Sequence, residues 1–515
     1  MQEVDYLVLG SGLSSLAFAS LMAKKGHSVK VLEAHEHFGG YAHTFAVGDY
    51  RFNAQLHYVT SCGEGDILPL LLNRLNLDIK FHRMSDEGFD RVYCADKCLL
   101  HPNGLENFHQ NLKKLSPEHT KSINAFMEIL YTFRRAADVF PRHQRHSYRI
   151  VKELPSYLKM FKYRNATLQD VFDQCDLPKI LQGLIAGQLI NYMLPPNQLS
   201  FLIWATLFNC YCKGAYYPEK HFEHFVESLV DSIKSAGGEL IANEQVVSFI
   251  MDGKAVKGVT TQRVNPKTGV AEGPSKTYYA KTVICNFDPK KAADMIGIDH
   301  FSKKVRRALD YDYSWSSFVL YGVVKGLDLR KHGFGNWNVW HCQEDQNAAF
   351  EAMYHNIDYS KPHFAMNCRS LHTDDNSHCL KDDSQIFQIC TVGNYEYWRT
   401  LKLRDHRAYY RKKQEVLDQL LDVVEKHYIP EIRSHLALKM AGTPTTNAHY
   451  VWAPQGGSYG VNLTPRNFQY SRKLSHETSL PNFYFCSAAS GAGGFGGTIT
   501  TGVALYEKLT GDFLN

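Results

Sequence analysis

The sequence predicts an α/β fold: a Rossmann-type parallel sheet with a glycine turn shaped for a nucleotide, into which a mixed sheet-plus-helix unit is inserted. Three stretches carry that expectation. Residues 4–40 read strand, glycine turn, helix, strand, acidic residue, glycine pair. Residues 237–286 read as a strand and a hairpin around Asp252-Gly253, followed by a further buried strand. Residues 481–509 run from a buried strand through five glycines in seven positions, 491–497, into a helix.

The first stretch is the most specific. Residues 4–9 form a short apolar run with a β-branched start, suited to a strand buried in a parallel sheet. Gly10 makes the tight turn, and Gly12 lets a pyrophosphate approach the backbone. A helix over residues 13–25 begins with Leu13 and Ser14 and aims its N-terminal amides at that charge. The third glycine of the fingerprint is replaced by Ser15, which is small enough for close helix–strand packing. Glu33, 21 residues after Gly12, closes the second strand where a carboxylate binds ribose hydroxyls, with Ala34 beside it. Gly39, Gly40 and Tyr41 follow. Together they point to a flavin dinucleotide, FAD. A glycine turn that no longer binds a ligand is the competing reading.

In the second stretch, the backbone of Val246 and Val247 is placed to meet an adenine edge, and the strand 282–286 ends in the polar Asn286. A helix over 219–235 precedes it, with apolar spacing at Phe222, Phe225, Leu229 and Ile233. In the third, Ser487 and Ala488 lead into the glycine run, whose bare amides let the chain press against a flat ring. Gly494 and Gly497 open onto a helix starting Thr498-Ile499. Its N-terminus would stabilise negative charge at the N1–C2 carbonyl edge of a reduced flavin.

Composition sets the frame. At 515 residues the chain exceeds one hydrophobic core, so intertwined domains are expected. Apolar residues make up 44% and charged residues 21%, an ordinary globular balance. The net charge of +5 is diffuse, without a Lys/Arg block, which argues against a nucleic-acid partner. The first strand starts within a few residues, leaving no room for a signal peptide. No run reaches the roughly 18 apolar residues of a membrane span, and residues 199–212 read as a buried helix. The 12 cysteines lack zinc-site spacing, so no metal is expected, and they read as reduced thiols of a cytoplasmic protein.

With these motifs in view, the chain resembles the FAD-dependent family of phytoene desaturase, carotenoid isomerase and retinol saturase, nearly end to end. The strongest part is residues 10–58, including Gly39-Gly40-x-x-His43-Thr44-Phe45 and Phe52-x-x-x-x-His57-Tyr58. Tyr217-Pro218, Gly237-Gly238, residues 283–286, Thr443-Pro444, Gly457-x-Tyr459-Gly460 and Asn482-Phe483-Tyr484 fit as well. Three places depart from the family pattern: Phe52-Asn53-Ala54-Gln55, Glu219-Lys220-His221, and Ser487-Ala488-Ala489-Ser490. The resemblance implies a glutathione-reductase-like FAD domain assembled from residues 1–104, 216–294 and 441–515. A helical insertion at 105–215 and a substrate sheet at 295–440 complete it. Alternating runs at 318–324 and 385–389 suit the floor of that sheet, and helical periodicity at 411–427 suits a helix covering it.

The chemistry so implied is hydride transfer at flavin N5 on a long hydrophobic polyene, retinoid or lipid, as desaturation, saturation or isomerisation. His43 and His57 are the candidate polar groups near the flavin ring. No second glycine fingerprint exists for NAD(P)H, so oxygen or a quinone is the expected electron acceptor. Two other classes stay open: an amine-oxidase-like flavoenzyme acting on C–N bonds, and a non-catalytic module holding a lipidated partner. Aromatic residues, 13% of the chain, cluster at residues 311–318 and at Trp337, Trp340, Tyr395, Tyr397 and Trp398, as an apolar tunnel or as core. The stretch 156–164 mixes basic and aromatic residues. With Arg142, His143, Arg145, His146, Arg149 and Lys152 upstream, it suits peripheral contact with an anionic membrane surface.

Overall fold

The computed structural model describes residues 3–138, 154–265, 268–469 and 472–514. β1 (Val4–Leu9) lies at the centre of the first sheet, with Leu7, Val8 and Leu9 fully buried. α1 (Leu13–Lys24) is buried from Leu13 through Ala23. A helix apolar all round belongs inside a large protein rather than on its surface. β2 (Val29–Leu32) pairs parallel to β1, Leu9 opposite Leu32.

The chain then crosses to a second sheet. β3 (Asp90–Cys94) and β4 (Lys97–His101) belong to that sheet, so the crossing comes before residue 90 rather than at 104. α2 (Leu154–Phe161) and α3 (Phe201–Lys213) follow in the helical part of the excursion. The basic positions Arg142, His143, Arg145, His146, Arg149 and Lys152 lie outside the described residues. α4 (Phe222–Ser235) buries Phe222, Phe225, Leu229 and Ile233 on one face, as their spacing predicts. It returns the chain to β5 (Glu239–Ile241), parallel to β2 with Ile241 opposite Leu32.

β6 (Glu244–Asp252) and β7 (Ala255–Val264) form the expected hairpin. The strand expected at 282–286 is the end of a longer one, β8 (Ala271–Cys285). Its first part pairs antiparallel to β7, and from Ala280 it pairs parallel to β1, Cys285 opposite Leu9. A single strand therefore joins the hairpin to the parallel sheet.

The second sheet takes β9 (Ser316–Val324), β10 (Asn338–Cys342), β11 (Phe364–Cys368) and β12 (Gln385–Gly393). α5 (His406–His427) and β13 (Leu436–Gly442) complete it. The strand order is β13-β9-β12-β11-β10-β3-β4, antiparallel throughout except where β3 meets β10. Every residue of β9 and β12 is buried, where alternation was expected. The reason is that both faces are covered. One side shares a core with Val416, Leu417, Leu420, Leu421 and Val424 of α5. The other side bonds the segment after the glycine pair: Tyr321 Oη donates to the Ala54 carbonyl (2.7 Å) and Ser317 Oγ to Gln55 Oε1 (3.1 Å). Finally β14 (Phe483–Phe485) pairs parallel to β8, Phe485 opposite Cys285, and leads to α6 (Phe495–Thr510). That helix starts three residues before the expected Thr498, taking Gly496 and Gly497 into its first turn.

Candidate functional site

The parallel register aligns the carboxyl ends of four strands: Leu9, Leu32, Cys285 and Phe485. The residues just past those ends are Gly10, Glu33, Asn286 and Cys486, at the edge where open α/β sheets bind ligands. Gly12 and Asn286 meet there. Gly12 N donates to Asn286 Oδ1 (2.9 Å), and a Cβ on Gly12 would sit 2.6 Å from that oxygen. Asn286 Nδ2 donates to Ser14 Oγ (2.8 Å) and to the Cys486 carbonyl, tying the glycine turn to β14. Ser15 is fully buried; its hydroxyl reaches the carbonyls of Gly10 (2.7 Å) and Gly12 (2.8 Å). The third-glycine position thus braces the turn. The opening amides of α1 have no partner within the helix and face the cleft.

Glu33 is held ready. Ser11 donates its amide (2.8 Å) and hydroxyl (2.5 Å) to Glu33 Oε2, and the His35 amide donates to Oε1 (2.9 Å). Burial raises the pKa of this carboxyl, and the Ser11 and His35 bonds oppose that rise.

Two cavities meet along this edge. One, of about 270 Å³, is lined by Gly10, Glu33, Ala34, His43, Val246 and Ser487 among others. The second, of about 500 Å³, is lined by Leu13, Ser14, Gly39, Gly494, Gly497 and Thr498 and continues past His57. Gly12, Gly40, Tyr41, Asn286 and Ala488 line both, so the two form one cleft. Three expected positions stay off its walls. Ser15 braces the turn, Ile499 is buried in the core, and Val247 is the extra residue of a β-bulge between Val246 and Ser248. Tyr41 Oη donates to the carbonyls of Gly456 (3.1 Å) and Gly457 (3.0 Å) where the two halves of the cleft meet.

The two histidines part company. His43 faces the Glu33 end: its Nδ1–H donates to the Gly40 carbonyl (2.6 Å), and its ring lies about 6 Å from those of His35 and His37. Burial lowers its pKa. His57 lines the larger cavity and bonds the guanidinium of Arg369 through Nδ1. Burial, then Arg369, push its pKa well below the usual value.

The larger cavity is walled mainly by apolar and aromatic groups, including Ile190, Met193, Ile203, Leu207, Leu463 and Phe468. Besides Tyr41, four tyrosines join them: Tyr58, Tyr192, Tyr211 and Tyr459. Tyr58 stacks on Tyr211 at 4.4 Å between ring centres and donates to Asp90 Oδ2 (2.8 Å). Asp90 is fully buried and also receives Asn338 Nδ2 (2.9 Å) and Gln188 Nε2. Burial pushes its pKa up to about 6 against those bonds. Asp90, Tyr211 and Arg369 were not foreseen. The one available signal was a charged residue inside or just after an apolar strand run.

The family departure at Asn53-Ala54-Gln55 is structural. Thr44 Oγ1 donates to Asn53 Oδ1 (3.1 Å), Asn53 Nδ2 to Tyr217 Oη (2.7 Å), and Gln55 Nε2 to Asn447 Oδ1 (3.0 Å).

A family model described as an NAD(P)-binding Rossmann-like domain matches residues 8–75. The all-trans-retinol 13,14-reductase of Danio rerio is 23% identical over 97% of this chain and 84% of its own length. The 1-hydroxycarotenoid 3,4-desaturase of a Flavobacterium is 22% identical over 95% of each. The chain is a distant relative of the retinol saturase, carotenoid desaturase and carotenoid isomerase family. An inactive all-trans-retinol 13,14-reductase of Danio rerio also matches, 22% identical over 48% of this chain and 43% of its own length. Among solved structures, putrescine oxidase shares the fold, with a TM-score of 0.63, 12% identity, and coverage of 99% of this chain and 100% of that one. Among the described residues, no His/Cys/Asp/Glu group is arranged to hold a metal, and no helix is long and apolar enough to cross a membrane.

The residues present fit a dinucleotide. A turn where a Cβ at Gly12 would crowd the Asn286 side chain, opening amides at α1 and α6, and a Glu33 carboxylate already accepting hydrogen bonds supply the pieces such a ligand needs.

Proposed function

We propose that this protein is an FAD-dependent oxidoreductase acting on C–C bonds of a long hydrophobic polyene, retinoid or lipid. The observation that carries this reading is the continuity of the cleft. A glycine-and-glutamate half suited to an ADP moiety runs directly into a larger, mostly apolar half walled by α3, the second sheet's attached segment 55–61 and the glycine run. Glu33 would hold the ribose, the amides of α1 the pyrophosphate, and those of α6 the pyrimidine edge of the flavin. When bound, the flavin would exchange a hydride with the substrate at N5.

The chain's own residues would do the rest. The apolar walls exclude water and orient the chain of the substrate. Addition of hydrogen across a double bond needs a proton besides the hydride, and its removal needs a proton acceptor. The Tyr58–Asp90 pair would carry that traffic: the Tyr58 hydroxyl, on the cavity wall and bonded to Asp90, would give or take the proton, and the buried Asp90 carboxyl would restore or receive it. Oxygen or a quinone would serve as acceptor in a desaturating direction. Peripheral attachment of α2 to an anionic membrane would deliver so apolar a substrate.

The first experiment is the visible absorption spectrum of the purified protein before and after denaturation. Flavin bands near one equivalent are the expected result, bleached by the substrate without oxygen if the protein desaturates, and restored by it after chemical reduction if it saturates. A colourless protein that cannot be reconstituted with FAD sinks the reading. A second reading, oxidation of a C–N bond, draws on the five tyrosines that line the larger cavity and on the fold shared with putrescine oxidase. The buried Arg369 cation behind His57 opposes it, because an ammonium substrate would meet a like charge in a low-dielectric cavity.

A further inference from the structure

Arg369 is a charge without a counter-charge. It follows β11 directly and is 0% exposed. Its Nε donates to Asn367 Oδ1 (3.0 Å), and its two terminal nitrogens donate to the Leu56 carbonyl and to His57 Nδ1. The groups that act on it electrostatically are Tyr217, Tyr321 and Cys390, and among the described residues no carboxylate pairs with it. A buried guanidinium satisfied only by neutral acceptors leaves a net positive potential around it, at a cost that a ligand's negative charge would offset.

The same contact fixes the chemistry of His57. A guanidinium has donors only, so Nδ1 must present its lone pair to Arg369. Asn367 Nδ2 approaches the same nitrogen at 3.4 Å, again as a donor. Protonation at Nδ1 would place N–H against N–H. His57 is therefore held neutral with its proton on Nε2, at the opposite edge of a ring that lines the larger cavity.

We propose that His57 is a locked hydrogen-bond donor, positioned and polarised by Arg369, that binds an oxygen bearing negative charge on the occupant of the larger cavity. Arg369 is the positioning residue. The shared ligand chemistry is an anionic or strongly polarised oxygen, from either of two sources: the oxygenated end of an amphipathic polyene, or a carbonyl of the flavin ring. The proposal deepens the reading of this cleft as a flavin and lipid site, although the locked tautomer stands independently of it. The titratable neighbours that face the pair are His372, His378, Tyr217, Tyr321 and Cys390, with Asn367 bonded to both members, and none is a carboxylate. The donor state of His57 therefore does not change across ordinary pH.

The test starts with the full-length protein labelled with nitrogen-15 histidine. His57 is expected as the Nε2–H tautomer, unchanged from pH 5 to 9. R369M should release it to titrate, and R369K, which keeps a donor, should restore the lock. If R369M does not fold, the wild-type spectrum still decides, since a titrating His57 or an Nδ1–H tautomer overturns the proposal. Two binding arms then separate the sources, each comparing wild type with H57F. In the first, the FAD-loaded protein is titrated with a fluorescent conjugated tetraene carboxylate and its methyl ester. Loss of about 10-fold or more in affinity for the carboxylate, with the ester much less affected, assigns the oxygen to the substrate. In the second, apoprotein is titrated with FAD, and a comparable loss assigns it to the flavin. Affinities unchanged in both arms overturn the proposal even if His57 is locked. Absence of any FAD binding by wild type fails the flavoenzyme reading while leaving the tautomer result standing.

Discussion

Glu33, half-buried, and Asp90, fully buried, are both carboxyls without a cationic partner in hydrogen-bond contact, yet their surroundings ask different things of them. Glu33 accepts three bonds from Ser11 and His35 and faces the smaller cavity, an arrangement for an ionised group that receives hydroxyls. Glu33→Gln keeps the shape, but its amide end cannot accept like a carboxylate. It should weaken FAD by about 10- to 100-fold, the scale of one or two bonds to a charged group, and calorimetric titration of apoprotein measures it. Asp90 also accepts three bonds, but burial outweighs them and raises its pKa to about 6, so it titrates just below neutral pH. An unfolded Asp ionises near ~3.9, so below about pH 4 both states carry the proton, and between about 4 and 6 the folded state alone keeps it. The contribution of Asp90 to stability is thus fully present at low pH and is lost as pH rises through 6, a change of about 3 kcal/mol at most. Asp90→Asn should remove that slope. Its Tm relative to wild type should rise between pH 4 and 7, and the protonated-carboxyl stretch that disappears near pH 6 in wild type should be missing from its infrared spectrum. A wild-type spectrum without such a titration would falsify the proton-holding role.

At the scale of elements, the glycine-and-glutamate half of the cleft was legible because its pattern is local. One strand, Gly10, Gly12, one helix and Glu33 lie within a single βαβ unit, and the register of three parallel strands follows from burying Leu7–Leu9 and their neighbours. The larger cavity was not legible to the same degree, because its charged groups arrive from distant strands. Asp90 comes on β3 and Arg369 after β11, and neither has a neighbour in sequence that announces a site. Val247 was misplaced by a bulge that no period-2 pattern reveals, and the full burial of β9 and β12 follows from what covers the sheet. One contact between elements was hidden in a glycine. Where α6 crosses α1, a Cβ on Gly502 would lie 2.0 Å from the Ser14 carbonyl. Gly502→Ala gains up to about 1 kcal/mol in helix propensity, but overpacking against backbone costs about 1–3 kcal/mol or more, so the steric cost wins. The variant should lose thermal stability and also bind FAD more weakly, since α1 must shift at the end that faces the pyrophosphate. A Tm equal to wild type would show that the crossing has slack.

For the molecule as a whole, the question is how the proposed apolar substrate would reach a cavity so deep. α2 exposes Leu154 (46%), Tyr157 (43%), Leu158 (62%) and Phe161 (55%), and their i, i+3, i+4, i+7 spacing puts them on one helical face. Lys159, Lys162 and Arg164 lie among and just beyond them. Tyr163 packs against Phe201 (5.4 Å between ring centres) at the start of α3, whose Ile203, Thr206, Leu207 and Cys210 line the larger cavity. Thr206 is exposed, so the cavity reaches the surface along this helix. An apolar stripe with basic flanks is what an interfacial helix needs, each basic residue adding about 1 kcal/mol near an anionic surface. The protein should therefore co-sediment with phosphatidylserine-containing vesicles and bind neutral phosphatidylcholine vesicles less, with the difference shrinking in high salt. The double variant L158E/F161E removes two of the four exposed apolar side chains and adds two negative charges. Its vesicle binding should fall by at least ~10-fold, while its flavin spectrum and its turnover of a short detergent-dispersed substrate stay at wild-type levels. If turnover from vesicles falls in step with binding, α2 is the landing site and α3 the lip over which the substrate enters. Equal binding by the variant and wild type would leave the mouth at Thr206 open to solvent, and the substrate would have to arrive on a carrier.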